Sequence, residues 1–318
     1  MYWLELAGET DAFATREAAT AATGVDLLAP GVARTGSVDL GRVRRLAYTR
    51  AAHKAVARTD ADVDAAVAAL RAASLDRSGS VAVRASDVRG TSGISTEAAE
   101  RELGGVLVER GFDVDLDDPD HVLRALFSAG SRAEHDAVAG ADGGDADLCT
   151  LGWVAVEAAR DFAPDPTDRP FFQPGSMAPA DARALVSVAG ARPGRTVVDP
   201  MCGTGGLLLE AGLLGARVVG GDAQEKMVRG TRRNLRAMLS GDAHPSRERY
   251  PEPGLWSICR SNAAGLPLRD DAADAVVFDA PYGRQSKIAG ELAPLVSGGL
   301  AEARRVADRS ATSTHRSA

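Results

Sequence analysis

The chain has 318 residues, 45% of them hydrophobic, which fits two or three globular domains and excludes a disordered chain. Cys149, Cys202 and Cys259 lie too far apart for a disulfide framework or a CxxC zinc site, and the histidines show no ligand spacing, so no metal is expected. No apolar run is long enough for a bilayer, and the acidic start MYWLELAGETDAF lacks a signal peptide's basic region. A soluble, cytoplasmic protein is expected, with no membrane partner and no obligate protein partner evident.

The formal net charge is −7, only three residues are lysine, and Asp outnumbers Glu 29 to 15. That balance reads as adaptation to a high-salt cytosol, with a GC-rich genome as the alternative cause. In molar salt, counterion release drives nucleic-acid binding weakly, so an acidic total does not exclude such a partner. The charge is also uneven: residues 1–165 carry 17 basic and 28 acidic groups, and residues 166–318 carry 20 and 16. The shift falls at the proline-rich stretch DFAPDPTDRP, a stiff connector.

In chain order, the first half reads as α+β. Helical spacing predicts a helix over Val63–Leu70, and alternation predicts a strand over Ser80–Arg84. Thr96–Arg110 is an amphipathic helix capped by Thr96 and closed at Gly111. Strands are expected at Phe112–Leu116 and Leu151–Ala158, with a Gly/Asp loop at Ala139–Asp147 between them. The second half alternates: helix Ala178–Ala189, strand Thr196–Asp199, helix Gly206–Leu214, strand Arg217–Asp222, helix Gln224–Leu239. Strands Trp256–Cys259 and Asp274–Asp279 and helix Gly299–Val306 follow. Such alternation predicts a parallel, doubly wound α/β sheet.

Two motifs carry chemistry. Asp199-Pro-Met-Cys-Gly-Thr-Gly-Gly206 follows a strand and opens a helix, where Gly203 and Gly205 let the backbone turn sharply against a ligand. Asp222 closes the next strand, the place for a carboxylate that accepts from ribose hydroxyls. The GxGG spacing and the carboxylate at 199 disfavour a pyrophosphate and suit a cationic ligand such as S-adenosylmethionine. The second motif, Asp279-Ala-Pro-Tyr282, ends a strand at the sheet edge where active sites lie. An exocyclic amine is a poor nucleophile; Asp279 and a carbonyl near Pro281 would accept its two hydrogens, and Tyr282 would stack an extruded base.

The segments DPMCGTGGLLLEA, GGDAQEKMVRGTRRNL and LPLRDDAADAVVFDAPYGR resemble the archaeal tRNA guanine-10 N2-methyltransferases. The resemblance implies a Rossmann-like class I methyltransferase domain at 178–307, behind a linker at 161–177. It also implies an N-terminal ferredoxin-like segment at 1–45 and a THUMP RNA-binding domain at 46–160, on the signs SVAVRASDVRGTSGIST, ERELGGVLVERGFDVDLDDPD and LGWVAVEAARDF. The activity implied is methylation of the N2 amine of a guanine in tRNA, with S-adenosylmethionine as cofactor. A different tRNA or rRNA guanine is an alternative target.

The implied cofactor residues are Asp199, Cys202, Gly203, Thr204, Gly205, Asp222, Asn262 and Ala263, and the implied catalytic residues are Asp279, Pro281 and Tyr282. Arg169–Met177 resembles the segment that covers the cofactor. Asn262 stands where the family has an acid that accepts from the adenine amino group, and Ala280 replaces a proline. Residues 308–318 read as a disordered tail, so the methyltransferase region is expected to be shortened. A non-catalytic RNA-binding remnant is the alternative of another class. Arg44, Arg45 and Arg50, inside a basic stretch of the acidic half, and Arg284 beside Tyr282 are candidate RNA contacts.

Overall fold

The computed structural model describes residues 1–130, 147–240, 252–280 and 292–307. The chain divides into two compact units, Met1–Arg160 and Asp161–Ala318. No helix among the described residues is long and apolar enough to cross a membrane.

The first unit contains β1 (Tyr2–Leu6), α1 (Asp11–Ala18), β2 (Ala22–Thr23), β3 (Asp26–Ala29), β4 (Val32–Thr35), β5 (Ser37–Val38) and α2 (Leu40–Val43). It continues with β6 (Thr49–Thr59), α3 (Val63–Ala72), β7 (Ser80–Asp87), α4 (Thr96–Glu109), β8 (Asp113–Val114), β9 (His121–Ser128) and β10 (Leu148–Glu157). Eight of these strands form one sheet, in the order β3-β4-β1-β6-β10-β9-β7-β8. That sheet runs through both of the segments expected at 1–45 and 46–160, because β1 pairs antiparallel with β4 on one side and β6 on the other. Leu103 and Leu107 of α4 pack with Leu123, Phe127, Leu151 and Trp153 of the sheet.

Three local expectations for this unit are corrected. The cap of α4 is Ser95, whose hydroxyl accepts from the Ala98 amide at 3.3 Å, one residue before Thr96. The strand expected at Phe112–Leu116 shrinks to Asp113–Val114, because Phe112 turns into the core and Asp115 caps the amides of Asp117 and Asp118. The basic stretch that could have been a solvated helix face is mostly strand: Arg50, Lys54 and Arg58 lie on β6, at the centre of the sheet. The loop expected at Ala139–Asp147 lies outside the described residues up to position 146.

The second unit holds α5 (Pro179–Val188), β11 (Thr196–Asp199), α6 (Gly206–Leu213), β12 (Arg217–Asp222), α7 (Glu225–Leu239), β13 (Trp256–Arg260), β14 (Ala275–Val276) and α8 (Leu292–Ala307). Its sheet has the order β13-β12-β11-β14, and every pairing is parallel. Parallel strands joined by helices give the expected α/β class. Strand β14 is shorter than expected, although the amides of Asp274 and Val277 still bond to Thr196 and Val198 of β11. Helix α8 begins earlier than expected; its Gly298 is where the backbone comes so close to Ala264 that a Cβ would lie 2.6 Å from that methyl. An ion pair is buried beneath these elements: Arg183 of α5 meets Glu210 of α6 at 2.6 Å, with both side chains inaccessible to water.

Candidate cofactor and active site

The glycine-rich loop is shaped by its own backbone and held from behind by α7. Gly203 and Gly205 have φ of +52° and +84°, the left-handed region that glycine enters without a Cβ penalty. A Cβ on Gly205 would also lie 2.7 Å from the Thr231 methyl. The Thr231 hydroxyl donates to the Gly203 carbonyl at 2.7 Å, and the Asn234 side-chain amide donates to the Thr204 carbonyl at 2.9 Å. The loop carbonyls are thus bound to α7. The Cys202 amide donates to the Gly221 carbonyl of β12 at 2.9 Å, which fixes the loop against the neighbouring strand.

Cys202 is among the residues expected at the cofactor. Its thiol packs in the hydrophobic core, and burial together with the Asp199 and Asp222 charges pushes its pKa well up. It is a packed, protonated thiol rather than a nucleophile. At Gly206, which opens α6, a Cβ would stand 3.3 Å from the guanidinium of Arg169.

Three carboxylates stand at the C-terminal ends of neighbouring strands. Asp199 is 2% exposed, and its Oδ1 accepts from the Met201 amide at 3.0 Å. Burial, helped by the charges of Asp222 and Asp279, raises its pKa to about 8 against the Met201 hydrogen bond. Burial likewise raises Asp222, against hydrogen bonds from the amides of Gln224 and Gly203. Asp279 is raised by burial alone. No ion pair to these three carboxylates occurs among the described residues, and no group of His, Cys, Asp or Glu there is arranged to hold a metal ion. Carboxylates whose pKa is raised by burial hold their protons until an opposite charge is brought beside them, so this set suits an organic cation.

Asn262 follows β13, and its Oδ1 already accepts from the Ala264 amide at 3.0 Å, closing a turn that is pinned by an Asn262–Gly265 bridge. The carbonyl therefore has one lone pair left, and the expected acceptor for an adenine amino group works at reduced capacity. Ala263 beside it is buried. Pro281, Tyr282 and Arg284 lie outside the described residues. Arg44, Arg45 and Arg50 belong to the first unit; the Arg50 guanidinium approaches Glu5 at 3.9 Å and is otherwise largely exposed.

Thr231 and Asn234 escaped the sequence reading as contacts of the loop, whereas Phe171 lies in the segment Arg169–Met177 that it singled out. A signal for the first two exists: Thr231 and Asn234 interrupt the apolar stripe of Val228, Leu235 and Met238 on a helix whose other face carries Arg229, Arg232, Arg233 and Arg236. Polar residues on a buried helical face need partners, and here the partner is the loop.

Comparison with known proteins places these motifs. Residues 166–317 match the RMKL-like methyltransferase domain model. A tRNA (guanine(10)-N2)-dimethyltransferase of Methanothermobacter thermautotrophicus is 35% identical over 199 residues, 62% of this chain and 51% of that protein. Its counterpart in Methanocaldococcus jannaschii is 30% identical over 226 residues, 69% of this chain and 57% of that one. Over these spans the chain is similar to the archaeal tRNA (guanine(10)-N2)-dimethyltransferases. It spans about half the length of the curated relatives it matches. The crystal structure of TrmN from Thermus thermophilus is 23% identical with a TM-score of 0.45, covering 96% of this chain and 85% of that one. Residues 308–317, expected to form a tail, fall within the span of the domain match and outside the described residues.

Proposed function

We propose that the chain methylates the exocyclic N2 amine of a guanine in tRNA, guanine 10 being the expected position, with S-adenosylmethionine as donor. The observation that carries this reading is the uncompensated carboxylate set around the glycine-rich loop, in a chain whose archaeal relatives are named for that reaction.

The residues fit the donor. A Cβ on Gly203 would meet nothing within 4 Å, so the loop surface is open there, Asp222 offers acceptors to ribose hydroxyls, and Asp199 would give up its proton to face an ammonium group. When bound, the donor supplies a methyl group made electrophilic by its sulfonium. Asp279 accepts from the guanine amine and withdraws its lone pair from conjugation with the ring. As the N–C bond formed and the methyl–sulfur bond broke, releasing the neutral thioether S-adenosylhomocysteine, the nitrogen would become cationic, and its surplus proton would pass to Asp279 or to water. Burial of Asp279 strengthens both roles, because a carboxylate raised in pKa is the better base. Pro281 and Tyr282 would complete the wall against which the base stacks.

Residues 1–45 and 46–160 are read as the ferredoxin-like and THUMP parts that hold the RNA, with Arg44, Arg45, Arg50 and Arg284 as candidate contacts, in a cytoplasm of high salt. The U6 snRNA (guanine-N(2))-methyltransferase THUMPD2 of Bos taurus, 29% identical over 122 residues, supports a second target, a guanine in another RNA. Transfer of labelled methyl to unmodified archaeal tRNA in molar KCl, read by nucleoside mass spectrometry, tests the reading. N2-methylguanosine or its dimethyl form is expected. Donor binding without product on any RNA offered would leave the non-catalytic RNA-binding alternative.

A further inference from the structure

One buried side chain bonds to both the 170–177 segment and the glycine-rich loop. Asn234 of α7 is fully buried, and its amide group makes three hydrogen bonds. Its Oδ1 accepts from the Phe171 amide at 2.9 Å, and its Nδ2 donates to the Phe171 carbonyl at 2.9 Å and to the Thr204 carbonyl at 2.9 Å. Both donors are used, and both partner segments are far away in sequence. One turn earlier on α7, Gly230 makes room for the Phe171 ring: a Cβ there would lie 2.0 Å from a ring carbon. Lys226, another turn back, sits 5.9 Å from the ring centre.

The far end of the segment returns to the same loop residue. Ser176 donates to the Gln173 carbonyl at 2.8 Å, which uses its only proton. The 3.1 Å contact between the Ser176 and Thr204 hydroxyls therefore has Thr204 as donor. Thr204 is held by its carbonyl from Asn234 and by its hydroxyl from Ser176.

We propose that Asn234 is a positioning residue that makes segment 170–177 a fixed wall of the cofactor site, so that the wall and the loop are ordered together or lost together. The inference rests on the cofactor reading above. It goes beyond that reading in assigning the coupling to one buried amide that touches neither cofactor nor RNA.

The test is titration calorimetry of S-adenosylhomocysteine and S-adenosylmethionine against the full chain and the variants Asn234→Ala, Gly230→Ala and Ser176→Ala, with hydrogen exchange at residues 170–177. Asn234→Ala is expected to weaken both ligands by about tenfold or more and to release the amide protons of the segment. Gly230→Ala, which disturbs Phe171 without touching the loop, is expected to do the same. The double variant Asn234→Ala/Gly230→Ala should weaken binding by less than the product of the two single effects, because both act through Phe171. Ligand affinity in Asn234→Ala equal to that of the unsubstituted chain, in protein shown folded by circular dichroism, overturns the coupling. Failure of the unsubstituted chain to bind either ligand overturns the cofactor reading and the coupling together.

Discussion

The carboxylate of Asp222 is bound to the loop that precedes it in the chain: Oδ2 accepts from the Gly203 amide at 3.0 Å, while Oδ1 accepts from the Gln224 amide at 2.8 Å. The acid expected to hold a ribose is thus oriented before any ligand arrives, by a glycine in the left-handed region and by the second residue beyond its own strand. Asp222→Asn can satisfy only one of these two amides with an oxygen. It is expected to cost about 1–3 kcal/mol of stability and to weaken S-adenosylmethionine more than tenfold. Thermal melting and calorimetry check the two effects separately.

Asp199 sets a pH dependence opposite to that of most carboxylates. Its pKa in the folded chain is about 8 against an ordinary value of 3.8, so between the two the folded state holds a proton that the unfolded state has released. Stability therefore falls as pH rises from near 4 towards 8, and levels off beyond. Asp222 and Asp279 are shifted in the same direction. Glu302, held near 2 by Arg305, titrates on the acid side of that window. Asp199→Asn removes the charge without changing the shape. The variant should melt several degrees higher than the parent at pH 8 and within a degree or two at pH 4. A parallel shift at both pH values would show that ionisation of Asp199 is not the cause.

Glu210 and Arg183 form the ion pair beneath the loop. Glu210 also accepts from the Ala163 amide at 2.8 Å, and Arg183 lies 5.4 Å from the Phe162 ring centre. Burial raises the Glu210 pKa, opposed by the Arg183 charge and these hydrogen bonds. Arg183→Leu strands the carboxylate in the core and is expected to cost about 3–5 kcal/mol. Arg183→Leu/Glu210→Leu should recover part of that loss, because both charges of the pair go together, while buried Arg169 and the Ala163 amide lose the Glu210 carboxylate. Denaturant unfolding of the two variants measures the difference.

The alternation of strand and helix, the glycine-rich loop after Thr196–Asp199 and the acid at 222 were all legible, because each is a local pattern of side-chain type and spacing. What was not legible depends on long-range pairing. The central strand β6 carries Arg50, Lys54 and Arg58 among alanines, a pattern that periodicity alone does not separate from a helix face; its pairing with β1 and β10 decides it. Likewise Asn234 has no local signature of contact with Phe171, 63 residues away. The turn at Asn262 shows the reverse: the residue stands out in the sequence by its place after a strand, but its hydrogen bond to the Ala264 amide, which limits it as an acceptor, needs the backbone geometry.

Asp279 separates binding from chemistry. It follows β14, whose pairing with β11 places it beside the strand that ends in Asp199, and its charge is felt there. If the guanine amine is activated by this carboxylate, its removal should leave the donor's binding surface nearly intact, since Asp222 and the loop carry that surface. Asp279→Ala is expected to bind S-adenosylmethionine within a few-fold of the parent, while methyl transfer to tRNA falls by about a thousandfold or more. Single-turnover transfer with bound donor, alongside calorimetry, reads both quantities. Transfer at the parental rate would remove Asp279 from the reaction centre. A loss of donor affinity as large as the loss of rate would make it a binding residue instead.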